Sequence, residues 1–331
     1  MEFRGASNKQ LTTNNHFMML SRIADSMFWL NRYMERADGI VRSLRYFYIL
    51  GFDVHEGDDA GYKPLLQCFT ALNDSQQEAM KHDAPAVLHY LITDSNNINS
   101  AQVLLGKARE NARGSQDKIT KEVWEQVNAM YHYINAENVS EQLKGEGALK
   151  VLDKLEKHCL MYNGIVDSTM PRGLGWEFMN IGKFIERCLH TVDLTESYLQ
   201  PIGYQLDTHD DLVYWRRVLF ALSGYELYLK SNRGSHHTRQ AISQVIFNPD
   251  FPRSVIYSLV RLEKYLEALL KESDHPAGNQ LLKQFGRLKS MVVYTDTGQM
   301  QGEELHQLLD SIRKQVWDFS AELSRLFFSY T

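Results

Sequence analysis

The stretch Leu30-Asn31-Arg32-Tyr33-Met34-Glu35-Arg36-Ala37 returns as Ile181-Gly182-Lys183-Phe184-Ile185-Glu186-Arg187-Cys188, at an offset of 151 residues. Around the first copy, Ile23, Met27, Leu30, Met34, Ala37, Val41, Leu44 and Tyr48 alternate four and three residues apart. That spacing is the apolar seam of a helix packed against near-parallel or antiparallel neighbours. Phe28, Trp29, Tyr33, Ile40 and Phe47 lie off the seam, so the helix is apolar around most of its circumference and should be central. Phe178, Ile181, Ile185, Cys188 and Val192 set the same seam in the second copy. Each Glu directly follows a seam residue, so the two Glu-Arg pairs share one helical phase.

Two such helices predict an all-α multi-helix bundle of two pseudo-repeated halves, each with a central Glu-Arg helix. Ser21 is the expected N-cap of the first helix and Gly51 its stop. Further helices are predicted over 64–80, 85–92, 100–113, 119–135, 147–169, 210–230, 238–246, 252–271, 278–293 and 302–329. No period-two pattern argues for strands. A second echo joins the halves: Asp94-Ser95-Asn96-Asn97-Ile98-Asn99-Ser100 and Asn248-Pro249-Asp250-Phe251-Pro252-Arg253-Ser254 each precede a helix, at an offset of 154. The turn-rich Met170-Pro171-Arg172-Gly173-Leu174-Gly175 marks the join. The expected organisation is therefore a flexible lead-in over 1–17, a first half over 18–170 and a second over 171–331, forming one compact domain. Ordered structure is expected to begin near Met18 or Met19.

Composition narrows the function classes. Among 331 residues, 36 Lys and Arg face 41 Asp and Glu, a formal net charge of −5. That balance argues against nucleic-acid binding, which needs a basic face. No apolar run approaches the ~18–20 residues of a membrane-spanning helix. Cys68, Cys159 and Cys188 stand apart with no CxxC spacing, so they read as reduced thiols of a cytoplasmic protein. There is no GxSxG, Walker loop or GxGxxG. Glu186 with His190, Glu303 with His306 and Glu272 with His275 have helical spacings that a metal could use, but a di-iron bundle needs two such pairs and two more carboxylates. Neither metal nor cofactor is expected.

The adjacent Glu-Arg pairs carry the chemistry. Neighbouring residues on a helix point about 100° apart, so Glu35 cannot satisfy Arg36. Packing of the two helices about a pseudo-twofold axis would let Glu35 meet Arg187 and Glu186 meet Arg36. The cluster could be an ion-pair network that fixes register. Alternatively it is a pocket in which Arg36 and Arg187 take a carboxylate or phosphate while Glu35 and Glu186 hold an amine or act as a base. Arg109, Asn111 and Arg113, with Arg109 and Arg113 four apart, could offer an anion-binding face, or could complement the end of their helix. Ser100, Arg253 and Ser254, at the two polar turns, could bind an anion or simply cap helices.

The run from Met19 through Phe28-Trp29-Leu30-Asn31-Arg32-Tyr33-Met34-Glu35-Arg36-Ala37 resembles the start of the bacterial alpha-E family. Matches continue through Asp94-Ser95-Asn96, Ala108-Arg109-Glu110-Asn111-Ala112-Arg113, Trp124-Glu125 with Asn128, Trp176 to Arg187, and Phe251-Pro252-Arg253-Ser254-Val255, covering 18–329. Asn31 and Lys183 depart from the family's tendency to small or Arg residues there. The resemblance implies an all-helical domain whose members are encoded beside, or fused to, a circularly permuted ATP-grasp ligase, often with a transglutaminase-like peptidase. The expected role is accessory: binding such a carboxylate-amine or peptide ligase, or its anionic peptide-like substrate, through the Glu-Arg cluster. An enzyme acting on an amide-linked molecule with a Glu base and a purely structural assembly protein are the competing expectations. A homodimer is compatible with the sequence.

Overall fold

The computed structural model describes residues 6–52, 61–207, 212–232, 234, 236–273, 277–295, 300 and 302–328, with backbone alone for 6–20. The two Glu-Arg segments are long helices, α1 (Ala6–Leu50) and α9 (Leu174–Leu199), and each is the other's main packing neighbour. Their approach is close because α9 carries Gly182 where it crosses α1. A Cβ there would lie 2.4 Å from the Phe28 carbonyl oxygen. Beside this contact Asn31 is buried, donating to the Met179 carbonyl at 3.0 Å and accepting from the Tyr162 hydroxyl at 2.6 Å.

Between these helices in sequence lie α2 (Lys63–Phe69), α3 (Asp74–Met80), α4 (Ala84–Ile92), α5 (Ala101–Gly114), α6 (Lys121–Ile134), α7 (Glu137–Leu143) and α8 (Ala148–Thr169). After α9 come α10 (Leu212–Ala221), α11 (Tyr225–Ser231), α12 (His237–Ile242), α13 (Val255–Ser273), α14 (Gly278–Val293) and α15 (Gly302–Phe327). No strand occurs among the described residues, and none of their helices is long and apolar enough to cross a membrane. On one side α5 and α8 flank α1 with α6 between them; on the other α13 and α15 flank α9 with α14 between them. The short α2 and α10 pack across the central pair. One continuous apolar core links these layers.

The polar turns before α5 and α13 have matching hydrogen bonds. Asn96 N–H donates to Asp94 Oδ1 at 2.8 Å, and Asp250 N–H to Asn248 Oδ1 at 2.9 Å. Ser100 N–H donates to the Asn97 carbonyl and Ser254 N–H to the Phe251 carbonyl, both at 2.9 Å. Ser100 Oγ then accepts from Val103 N–H at 3.3 Å and Ser254 Oγ from Tyr257 N–H at 3.0 Å, so both serines cap helices.

Several expected boundaries move. Ser21 is inside α1, whose backbone is helical upstream of it, so it does not cap the helix. The lead-in expected over 1–17 falls on residues 1–5, outside the described residues, and on the first turns of α1, where backbone alone is described. The helix expected over 64–80 is two: Thr70 turns extended, and Asn73 restarts the chain with a capping box to Gln76. That over 210–230 also divides, because Ser223 takes a left-handed φ of 57°. Gly224 follows it where Phe251 approaches so closely that a Cβ would lie 2.7 Å from its ring. α7 has no counterpart in the sequence reading, and the helix expected over 238–246 starts at His237 and widens into a π-turn at Ser243–Phe247.

Candidate ligand-binding site

Glu35 and Arg36 diverge on α1, and Glu186 and Arg187 diverge on α9, so each charge reaches across the helix pair. Arg36 grips Glu186 with two donors, Nε to Oε2 at 3.0 Å and Nη2 to Oε1 at 2.8 Å. Arg187 grips Glu35 in the same way, Nε to Oε1 at 2.7 Å and Nη2 to Oε2 at 3.1 Å. The crossed pairing expected from the helical phase is thus the observed one, and each fork is the strong bidentate geometry of guanidinium and carboxylate. Each carboxylate also takes a second arginine. Arg32 Nε donates to Glu186 Oε1 at 2.6 Å, and Arg253 Nη1 donates to Glu35 Oε1 at 3.3 Å.

The two ends of this cluster differ. The Glu35 end is sealed. Arg253 covers it, also donating to Asp38 Oδ2 at 3.0 Å, while Arg187 Nη1 reaches the Pro252 carbonyl at 3.3 Å. Burial alone would raise the Glu35 carboxyl, but Arg187, Arg253 and Lys183 outweigh it and hold the group far below its ordinary 4.5. Positive charge is in excess here: Arg187, Arg253, Arg42 and Lys183 surround Glu35 and Asp38. The cost falls on the two cations with the weakest partners. Burial, then repulsion from Arg253, brings Arg42 down to about 10, and burial, then repulsion from Arg187, brings Lys183 down to about 8. Arg42 donates to Asp38 at 3.4 Å, while its Nε and Nη1 are buried without a hydrogen-bond partner.

The Glu186 end is open. A pocket of about 220 Å³ lies over it, lined by Arg36, Asn99, Glu186, His190, Asp193 and Trp317, with Cys68, Phe69 and Leu189 adding apolar wall. The Arg36 side chain is 25% exposed, whereas Arg187 at the sealed end is 10% exposed. Arg36 Nη1 donates to Asn99 Oδ1 at 3.1 Å, which brings the turn before α5 to the pocket. Arg32 forms the wall behind, its guanidinium 4.7 Å from the Trp29 ring centre and 5.3 Å from that of Trp317. Asp193 accepts from Arg313 Nε at Oδ1, at 2.8 Å. Burial raises the Asp193 carboxyl, with Arg313 opposing the rise. Burial, reinforced by Arg42 and Arg253, keeps His190 well below its ordinary 6.5 and hence neutral; its Nε2 lies 3.3 Å from Ser43 Oγ. Burial likewise pushes the Cys68 thiol up, away from thiolate reactivity.

Of the residues singled out from sequence, Glu35, Arg36, Glu186, Arg187 and Arg253 come together. Ser100 and Ser254 stand at the two turns with their hydroxyls engaged as caps, so the capping alternative is the one observed. Arg109, Asn111 and Arg113 do not join the cluster. Arg109 lies over Tyr131 at 4.7 Å and donates to Asn128 at 2.7 Å, facing α6. Asn111 folds back onto the Lys107 carbonyl, and Arg113 is exposed beside Glu110 at 2.8 Å. The expected basic face is thus split, Arg109 being taken up by α6 and Arg113 by Glu110 on its own helix. Neither Glu35 nor Glu186 is poised as a general base, since both carboxyls are held below their ordinary value and both are gripped by two arginines. His190 faces Ser43 and Phe69, and His306 faces Glu196 at 3.1 Å; His275 lies outside the described residues.

Arg32, Asp38, Asn99, Asp193 and Trp317 were missed. Arg32 had a signal, one helical turn before Arg36 and so on the same face. Asp193 likewise lies two turns beyond Glu186. Asn99 stands at the position the 154-residue echo assigns to Arg253, and Trp317 has no local signal at all.

A family model, Alpha-E, described as "A predicted alpha-helical domain with a conserved ER motif", matches residues 19–328, nearly the whole chain. The chain belongs to the Alpha-E family. Within this Alpha-E fold the Glu-Arg dipeptide occurs at both places where α1 and α9 exchange charges. Relatives include uncharacterized proteins of Mycobacterium bovis and Mycobacterium tuberculosis, each 24% identical over 267 residues. The match covers 75% of this chain and 30% of each relative, so the Alpha-E chain spans about a third of the length of the curated relatives it matches. No solved structure matches the chain.

Proposed function

We propose that this chain is an accessory helical domain that holds an anionic, peptide-like ligand for an ATP-grasp type carboxylate-amine ligase. The observation that carries the reading is the pocket over Arg36, in which one carboxylate, Glu186, is shared by two guanidiniums. That leaves one positive charge in excess at the Arg36 end of an opening whose lining also holds Asp193, itself paired with Arg313; a local excess of this kind is what recognises an incoming carboxylate. The tied-up state of both glutamates favours binding over catalysis. The greater length of the relatives fits a domain that serves further sequence or a separate partner. The ligase and a transglutaminase-like peptidase enter through the family's association.

Arg36→Gln is the informative variant, because Arg32 still pairs Glu186 and the fold should survive. Short peptides ending in a free carboxylate, and the same peptides amidated, are to be titrated into wild type and variant by calorimetry. The expected result is binding of the free acids only, weakened on the order of tenfold or more by Arg36→Gln, the size of a lost charge-assisted hydrogen bond. Equal binding by variant and wild type at unchanged melting temperature overturns the reading, as does indifference to amidation.

A further inference from the structure

We infer that the Arg36 pocket takes a zwitterionic amino-carboxylate of about one residue in size, its carboxylate at Arg36 and Asn99 and its ammonium at Asp193. This rests on the anionic-ligand reading above and narrows it to a chemical class.

Three observations support it. The first is size. At about 220 Å³ the pocket falls below the usual range of sites for drug-sized molecules, so what it encloses is about one residue in size. The second is the charge at the Arg36 end. Arg36 uses Nε and Nη2 on Glu186 and Nη1 on Asn99, which leaves further N–H groups on its terminal nitrogens. Asn99 has its Oδ1 occupied by Arg36, so its amide nitrogen is the group it has left to donate. Both residues therefore offer donors, and an acceptor is what satisfies them.

The third observation is opposite charge at the other end. Glu186 and Asp193 are seven apart on α9, hence on one helix face, and both line the pocket. Glu186 is gripped by two arginines, but Asp193 is 34% exposed and accepts one hydrogen bond, at Oδ1 from Arg313, leaving Oδ2 to take another donor. Leu189, Phe69 and the Trp317 ring supply apolar surface in the same pocket. A simple anion would meet Asp193 with repulsion. A molecule carrying an ammonium as well as a carboxylate meets both ends favourably.

The test uses the full chain and blocked ligands, so it does not depend on any variant folding. Glycine, glutamate, lysine and γ-aminobutyrate are titrated by calorimetry, each also as its N-acetyl and its carboxamide form. The expected result is that at least one free amino-carboxylate binds and that either block weakens it tenfold or more. Asp193→Asn should remove the penalty of acetylation and keep that of amidation, provided its melting temperature stays near wild type. Acetylation without effect overturns this inference while the anionic reading stands. Failure of all four compounds, when acid-terminated peptides still bind, overturns it as well. Failure of both sets overturns both.

Discussion

Arg42 shows most plainly what the charge cluster costs. It is buried, its bond to Asp38 is long, and its Nε and Nη1 have no hydrogen-bond partner. An unsatisfied buried donor costs roughly 1–3 kcal/mol. Asp38 keeps Arg253 when Arg42 is removed, so Arg42→Met should raise the unfolding midpoint in urea, with a gain on the order of 1 kcal/mol. Arg187→Met should do the reverse and lower it by several kcal/mol, on the order of 3–5, since it leaves Glu35 buried with one weaker partner. Glu177 is a different kind of strained group. Burial, then repulsion from Glu272, pushes its carboxyl up to about 7. A raised acid binds its proton more tightly in the folded state, so its contribution falls as pH rises from its ordinary 4.5 to about 7 and is flat above that. Glu177→Gln should therefore match wild type near pH 4.5 and melt higher at pH 8, as followed by circular dichroism.

At the scale of elements, the α1–α9 contact controls the rest. Gly182 allows the Phe28 carbonyl and the Arg32 side chain to lie against α9, and a Cβ would come within 2.4 Å and 3.1 Å of them. Neither backbone can yield without moving a whole helix, so Gly182→Ala should destabilise by at least the ~1–3 kcal/mol of ordinary overpacking. It should also weaken ligand binding, because the displaced helices carry Arg36 and Glu186; parallel melting and titration of the variant would check both effects. Much of this was legible. The four-three seam gave α1 and α9, and the shared phase of Glu35 and Glu186 gave the crossed pairing. Other parts were hidden for physical reasons. The break from Thr70 to Asn73 and the one at Ser223 depend on backbone torsions within stretches that read as continuous helix. Arg109 looked available because its acceptor, Asn128, and the Tyr131 ring beneath it come into reach only once α6 is docked, whereas Glu110, three residues before Arg113 on the same helix, could have been read from spacing. Trp317 reaches the pocket from α15, far along the chain, where no spacing rule could find it.

For the molecule as a whole, acid should unfold the joint between the two central helices first. Glu35 and Glu186 have carboxyls held below their ordinary 4.5, so their stabilisation is complete above that pH. As pH falls further, the unfolded chain takes up protons before the folded one does, and the advantage is lost. Neutral His190 begins a similar loss from its ordinary 6.5 downward. Glu35→Gln should flatten the limb below pH 4.5 in a plot of melting temperature against pH, from a lower starting stability. The inequality of the two ends has a further consequence. The positions related by the 154-residue echo are Asn99, beneath the opening, and Arg253, which stops up the other end. An amide that accepts from Arg36 stands at the open end, where the sealed end has a guanidinium anchored on Glu35 and Asp38. Asn99→Arg should cork the vestibule, so that calorimetry with the acid-terminated peptides registers no binding while the melting temperature stays near that of the wild type.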